Sequence, residues 1–315
     1  MEANTCNDQS GGDPMPTQGR SVSLRQRRRK EALVGYLFVA PAFLGFLIFY
    51  LLPTLRAVEI SLTDWNLMRA PKFVGLGNYA MLLSDANFWH SAKVTFAYVL
   101  YNIPLQTVLG LLLAVLSDRL ARAVWLRAII IAPYLISNVV AALVWMMMLD
   151  PILGLVNAFL TFFGVGPQGF LASPDEAMVS VAAISTWRHT GLTALLFYAG
   201  LQAIPAHLYE AARLEGAGEW TMFRRITLPL LRPVLAFVVV TSLIGSFQVF
   251  DVVAVATAGG PSNSTRVILW YIYENAFKFN KMGYASAISV VLFVTLILIT
   301  LLQMRVLRAD QSDLD

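Results

Sequence analysis

Eight residues in two apolar stretches carry side chains with something to offer a polar solute: Ser185, Trp187, Arg188 and His189 in one, Ser246, Phe247, Gln248 and Asp251 in the other. Indole and phenyl rings stack on the apolar face of a ring-shaped solute, while amide, hydroxyl and carboxylate groups bind hydroxyls. A charged side chain at mid-span costs about 2.5–3.5 kcal/mol on insertion scales, so Arg188 is expected to face a cavity or a partner. An arginine in a solute pathway would also favour a phosphorylated solute. The same residue types suit a plainer arrangement, with Arg188 and Asp251 as an ion pair between helices and Gln248 as an interhelical hydrogen-bonding group. The sequence leaves both readings open. Asn102 and Gln106, four residues apart around Pro104, suit the holding of a kink better than solute binding. Tyr134 and Asn138 share one helix face and are weaker candidates for a cavity wall.

Chemistry of other kinds finds no constellation. The phosphate-cradling GxxxxGK[ST] loop is absent, as are HExxH, CxxC and GxSxG. His90, His189 and His207 are far apart, with no i, i+4 metal pair among them. The expectation is a chain that is not an enzyme, with no catalytic residues, no metal and no cofactor of its own.

The elements that must position these residues are membrane helices. Of the 315 residues, 57% are hydrophobic and 13% charged, with a mean hydropathy of +0.65; a soluble domain carries about 25% charge. The one cysteine, Cys6, excludes an intrachain disulfide. Six stretches approach the ~20 apolar residues that a helix needs to cross the hydrocarbon core, at roughly 32–55, 92–116, 128–149, 178–200, 233–257 and 285–304. Residues 1–30 read as a disordered basic tail, 31–308 as the six-span domain and 309–315 as a second short tail. Fifteen Lys and Arg residues, including Arg25, Arg27–Lys30, Arg213, Arg224, Arg225 and Arg232, fall on the side of the termini, against seven on the other. The excess of positive charge places both termini in the cytoplasm, multi-pass. The net charge of +4 is then a topology signal, and no nucleic-acid partner is expected.

One polar interlude stands out, Leu208 to Pro233 (LYEAARLEGAGEWTMFRRITLPLLRP), within a cytoplasmic loop at 205–232. Pro205 suits the opening of a helix, Tyr209 to Glu215 are good helix formers, and Gly216 supplies a left-handed stop. A second short helix is expected over 219–227, with Pro229 and Pro233 marking the return to the membrane. A helix this short needs packing to hold it. Two roles fit: an amphipathic helix on the inner membrane surface, or a docking point for a soluble protein.

The run Glu210, Ala211, Ala212, Gly216, Ala217, Ile226, Leu228, Pro229 and Pro233 resembles the EAA loop of permease subunits of binding-protein-dependent ABC importers. Glu215 stands where that pattern commonly has Asp. Phe73, Val74, Gly75, Leu76, Gly77, Asn78 and Tyr79 resemble the outer-loop signature of the sugar-type permeases. So do Gly259, Gly260 and Pro261 with Tyr271, Ile272, Tyr273, Glu274 and Phe277. The resemblance covers about residues 33–308. It implies an all-α membrane protein with six transmembrane helices, the type I ABC importer permease fold and a cytoplasmic EAA coupling helix, in a bacterial inner membrane. It implies a role as half of a translocation pathway for a sugar or sugar-like solute, an oligosaccharide, amino sugar or glycerophospho compound. It further implies three protein partners: a second permease subunit, paired ABC ATPase subunits carrying the ATP and Mg, and an extracytoplasmic solute-binding protein. Glu210, Ala211, Ala212, Leu214, Gly216 and Ala217 are thereby expected to couple to the ATPase, Glu210 as contact and Gly216 as bend. An ion-coupled secondary transporter or a channel subunit is the alternative; six spans without a repeat disfavour the first, and the loop is unexplained by the second.

Overall fold

The computed structural model describes residues 24–120 and 124–307, and side chains from 31 to 118 and 125 to 306. Of the tail expected to be disordered over 1–30, residues 1–23 lie outside the described residues, whereas 24–30 are helical, because the good helix formers Leu, Gln, Arg and Lys there carry α1 on ahead of its apolar part. The tail at 309–315 lies outside the described residues, as do the side chains of the basic run 25–30 and of Arg119 and Arg122. Two units divide the chain, Met1–Arg56 and Ala57–Asp315.

The first unit holds α1 (Leu24–Phe46) and a π-helical turn, Leu47–Leu51, which leads into α2 (Leu52–Ser61). Pro53 has no N–H to give the carbonyl four residues back, and the ladder widens just ahead of it, with the Leu52 amide bonded to the Leu47 carbonyl. From Ala32 to Leu55 the helix is apolar on every side, and residues such as Phe38 and Phe49 are largely exposed, as suits a segment bathed in lipid.

In the second unit α3 (Gly77–Ser84) leads to α4 (Ala86–Leu120), α5 (Val124–Leu135) and α6 (Asn138–Met148). Then come α7 (Leu155–Phe162), α8 (Ala177–Gln202), α9 (Ala206–Leu214), α10 (Glu219–Met222), a π-helical turn Phe223–Thr227, α11 (Leu228–Leu230) and α12 (Arg232–Phe247). The chain closes with α13 (Asp251–Ala256), α14 (Ile268–Tyr273), a third π-helical turn Glu274–Lys278 and α15 (Met282–Leu307). Among the described residues, strand pairing is limited to one bridge between Thr63 and Phe73.

Among the described residues, four stretches, Glu31–Ser61, Ala86–Asp118, Arg232–Ala256 and Met282–Val306, are long and apolar enough to span a membrane. Two bent pairs raise the number to six. In one of them, α5 and α6 meet at 94°, so the stretch read from sequence as one span at 128–149 is a broken helix. Pro133 lies in its last α5 turn, and Ser137 is extended ahead of α6. In the other, α8 and α9 meet at 68°.

Helices pack where side chains are small. At Gly191 of α8 an added Cβ would stand 2.1 Å from the Ile130 carbonyl oxygen of α5. At Gly110 of α4 it would stand 2.5 Å from the Thr193 side chain of α8. Without a hydrophobic drive between helices in lipid, this close approach supplies the dispersion contact that holds them. The buried side chains form three clusters. One joins α4, α6, α8, α13 and α14 through Tyr98, Ala142, Ile184, Val253 and Trp270. A second joins α3, α4, α14 and α15. The third lies at the other end, with Ala114, Phe197 and Val238.

The outer-loop signature has a structural role. Asn78 donates to the carbonyls of Ser61 and Thr63 at 2.8 and 2.7 Å, and the Tyr79 hydroxyl lies 2.7 Å from the Ser61 hydroxyl. Asp85 accepts from the hydroxyls of Tyr271 and Tyr284. Burial alone would push its carboxyl up; these hydroxyls and the amides of Asn87 and Phe88 outweigh that and hold it below the usual range. Burial and this carboxylate push Tyr271 up to about 12.

Candidate functional site

A cavity of about 230 Å³, lined by polar side chains together with the aliphatic Leu192, Leu196 and Val238, lies among α4, α5, α8 and α12. Its wall is built from a ladder of uncharged groups. Gln106 donates from Nε2 to the hydroxyls of Thr193 at 2.8 Å and Ser242 at 3.0 Å. Asn102 donates to the Ser246 hydroxyl at 3.0 Å and accepts from Thr186 at 2.9 Å. Asn102 and Gln106 are 4% and 6% exposed, deep enough that each bond is needed to offset lost hydration. The i, i+4 spacing that suggested a kink places both amides on one face of α4, where they cross-link three helices. Tyr98, Tyr134, His189 and Thr241 complete much of the lining.

His189 contributes as a neutral imidazole. Its Nε2 lies 3.0 Å from the Arg188 guanidinium, a group that only donates, so Nε2 accepts and Nδ1 carries the proton toward the Ser185 carbonyl at 2.8 Å. The tautomer follows from that network.

Arg188 itself is turned to the break between α5 and α6. Its Nε donates to the Ile136 carbonyl at 2.8 Å and its Nη2 to the Tyr134 carbonyl at 3.1 Å, with the guanidinium 5.2 Å from the Tyr134 ring centre. These carbonyls lie at the end of α5, where the chain turns and leaves them without intrahelical partners. No ion pair joins Arg188 to Asp251. Asp251, at the start of α13, accepts instead from Asn138 of α6 at 2.8 Å. The two charged residues thus brace opposite sides of the same break, one holding the end of α5 and the other the beginning of α6.

The remaining expected pathway residues are spread over different surroundings. Ser185 is buried behind His189, and Ser246 lines the cavity. Trp187 packs edge-on against Trp145, with centroids 5.4 Å apart. Phe247 faces a separate apolar pocket with Phe88, Trp89 and Ile268. Gln248 is exposed at the C-terminal end of α12.

On the loop, α9 ends in a complete Schellman turn. Gly216 has φ +78°, its amide bonds to the Arg213 carbonyl at 3.0 Å, and the Ala217 amide bonds to the Ala212 carbonyl at 2.9 Å. The Tyr209 hydroxyl meets Thr227 at 2.9 Å and ties α9 to the returning segment. Ala212 and Ala217 are half-buried, Glu210 and Ala211 exposed, and Leu214 is 91% exposed. Trp220, 72% exposed, stacks on Phe223 beside it. Glu210 also borders a polar cavity of about 840 Å³ beneath α9, with Asp118, Arg127, Gln202 and Arg213. The Arg213–Glu219 pair, 3.7 Å apart and well exposed, adds little stability.

The family described as "Binding-protein-dependent transport system inner membrane component" matches residues 106–311, which includes the loop, the helices on either side and the cavity lining other than Tyr98 and Asn102. The chain belongs to this permease family. The trehalose/maltose transport system permease protein MalF of Thermococcus litoralis is 37% identical over 281 residues, 89% of this chain and 95% of that one. The sn-glycerol-3-phosphate transport system permease protein UgpA of Agrobacterium fabrum is 33% identical over 276 residues, 87% and 94% of the two chains. In the crystal structure of a bacterial ABC transporter that imports the acidic polysaccharide alginate, one chain superposes with a TM-score of 0.76 at 23% identity. The match covers 91% of this permease and 99% of that chain. It shows the fold of an ABC importer permease, consistent with the expectation from the loop and outer-loop residues.

Asn102, Gln106, Thr193 and Ser242 are cavity residues of the permease that the opening set of eight lacked. The i, i+4 amide pair, read from sequence as suited to holding a kink, and the hydroxyls of Thr193 and Ser242 within apolar helices were signals that could have found them.

Proposed function

We propose that this permease forms half of the membrane pathway of an ATP-driven importer for an uncharged saccharide. The observation that carries the reading is a cavity wall without charge, in which amides, hydroxyls, phenols and one neutral imidazole alternate with Leu192, Leu196 and Val238, while the nearby guanidinium is spent on backbone carbonyls. Such a lining matches the alternating donors and acceptors of sugar hydroxyls and gives a phosphate or carboxylate no counter-charge. Relatives named for trehalose/maltose and for sn-glycerol-3-phosphate span both solute types, and the charge-free wall favours the first.

In this reading both termini are cytoplasmic, and the chain pairs with a second permease subunit. It takes solute from an extracytoplasmic binding protein and rests on two ATPase subunits that hold the ATP and Mg. The ATPase engages α9 through Glu210, Ala211 and the exposed Leu214 and Trp220, while Gly216 fixes the angle at which α9 meets the return segment. Closure of the ATPase pair moves α9, and through Tyr209, Thr227 and α12 the motion reaches Ser242 and Ser246 in the cavity wall.

Proteoliposomes containing the assembled importer test the coupling. Glu210→Lys and Gly216→Val are expected to abolish solute uptake while the four-subunit complex still purifies intact. Wild-type uptake by both variants, with the ATPase bound, would overturn the coupling role.

A further inference from the structure

The segment between α6 and α8 exposes apolar side chains to a degree that no watery loop tolerates. Ile152 and Leu153 are 88% and 87% exposed, and Phe162 is 83% exposed. Leu155, Phe159 and Phe163 are exposed beside them. From Pro151 to Pro174 there is no charged residue.

The exposure is not that of an unfolded loop, because the segment is tied down from inside. Asn157 donates to the carbonyls of Pro151 and Gln168 at 3.2 and 2.9 Å and accepts from the Gln168 amide at 2.9 Å. Asp150 accepts from the amides of Ile152 and Leu153 at 2.9 and 2.8 Å and fixes the turn before α7. Val156 and Phe170 pack on the first core cluster. The buried face of α7 is thus satisfied, and the opposite face presents Leu155, Phe159 and Phe162 outward.

We propose that α7 and the turn before it lie in the bilayer interface, with Ile152, Leu153, Phe159 and Phe162 sunk among the acyl chains of the outer leaflet. The occupant is lipid because the apolar face continues directly from the exposed face of α6, at Met147, and because 24 residues without charge offer neither ion pairs nor a polar rim to a soluble protein. Asp150, at the start of the segment, stays in water. Amides of Leu153 and Ile152 hold its carboxyl below the usual range. The arrangement anchors the broken α5–α6 pair at its outer end, so that motion from the cytoplasmic side works against a fixed point. The choice of leaflet rests on the topology proposed above; the insertion does not.

Spin labels test it in the assembled, reconstituted importer. In a Cys6→Ser background, single Phe162→Cys and Leu153→Cys variants are labelled, with Lys72→Cys in an exposed outer loop as the aqueous reference. Expected is several-fold greater collision with oxygen than with a water-soluble nickel complex at 162 and 153, reversed at 72. Nickel accessibility at 162 and 153 equal to that at 72 would overturn the proposal, as would low accessibility to both reagents, the signature of burial against another protein. A membrane-impermeant reductant added outside right-side-out vesicles reports the leaflet separately. The label at 72, which stays in water, carries that readout: its protection from outside, with oxygen access kept at 162 and 153, would contradict the topology and leave the insertion standing.

Discussion

Replacing Arg188 by Met separates an anion-binding role from a bracing one. The substitution keeps an apolar stem and removes the two bonds that cross to the end of α5, to Ile136 at 2.8 Å and to Tyr134 at 3.1 Å, along with the bond to His189 within α8 at 3.0 Å. A hydrogen bond from a charged donor contributes about 1.5–3 kcal/mol in soluble proteins, whereas interhelical bonds in bilayers average about 0.6 and reach about 1.7. Arg188 is half-buried, so the lower scale applies, and two bonds give roughly 1–3 kcal/mol. The loss falls at the joint between α5 and α6 and is expected to lower the thermal midpoint of the purified importer by several degrees. Uptake of every solute the wild-type importer accepts should fall by one common factor, with the solute concentration for half-maximal uptake unchanged. Arg188→Lys, whose ammonium reaches one carbonyl well, should recover about half of the stability. An unchanged midpoint in Arg188→Met, together with selective loss of an anionic solute, would refute the bracing role and return Arg188 to the pathway.

Gln106→Leu removes both rungs to Thr193 and Ser242; a loss of about 1–3 kcal/mol is expected, with weaker half-saturation in uptake as a second readout that Arg188→Met does not share. Gly191→Val forces α8 away from the Ile130 carbonyl, where even a Cβ would stand at 2.1 Å; misassembly is expected, seen as loss of the monodisperse complex on size exclusion. The pH response of Asp85 follows from its carboxyl lying below the ordinary 3.8. The folded form binds its proton less readily than the unfolded one, so the contribution of the Tyr271 and Tyr284 bonds is full above 3.8 and lost as pH falls through the folded value. Hydrogen exchange in the outer segment around α14 should therefore be flat between neutral pH and about 5 in its Asp85-dependent part, and should rise only under acid.

The apolar runs, the helix-turn-helix and its glycine stop were legible because each is written in contiguous residues: proline and alanine at the start of α9, Gly216 at its end. The break in the third span was not. Pro133 and Ser137 are ordinary within an apolar run, and what stabilises the break arrives from Arg188 and Asp251, far along the chain. The cavity was half legible for a geometric reason. Polar side chains inside apolar helices announce that some wall exists, yet Ser246 and Phe247, adjacent in sequence, point about 100° apart. Ser246 therefore meets Asn102 in the polar cavity while Phe247 meets Phe88 in an apolar one. Only the packing of α4, α8 and α12 decides which of two neighbours lines the wall.

The most direct test of the central claim is the structure of the assembled importer trapped with its saccharide in the membrane domain. Density is expected among Asn102, Gln106, Thr193, His189 and Ser242, with sugar hydroxyls meeting amides and hydroxyls, and with Arg188 still bound to the Tyr134 and Ile136 carbonyls. Solute density against Trp187, Gln248 and Asp251, or a guanidinium swung round to an anionic group, would contradict it.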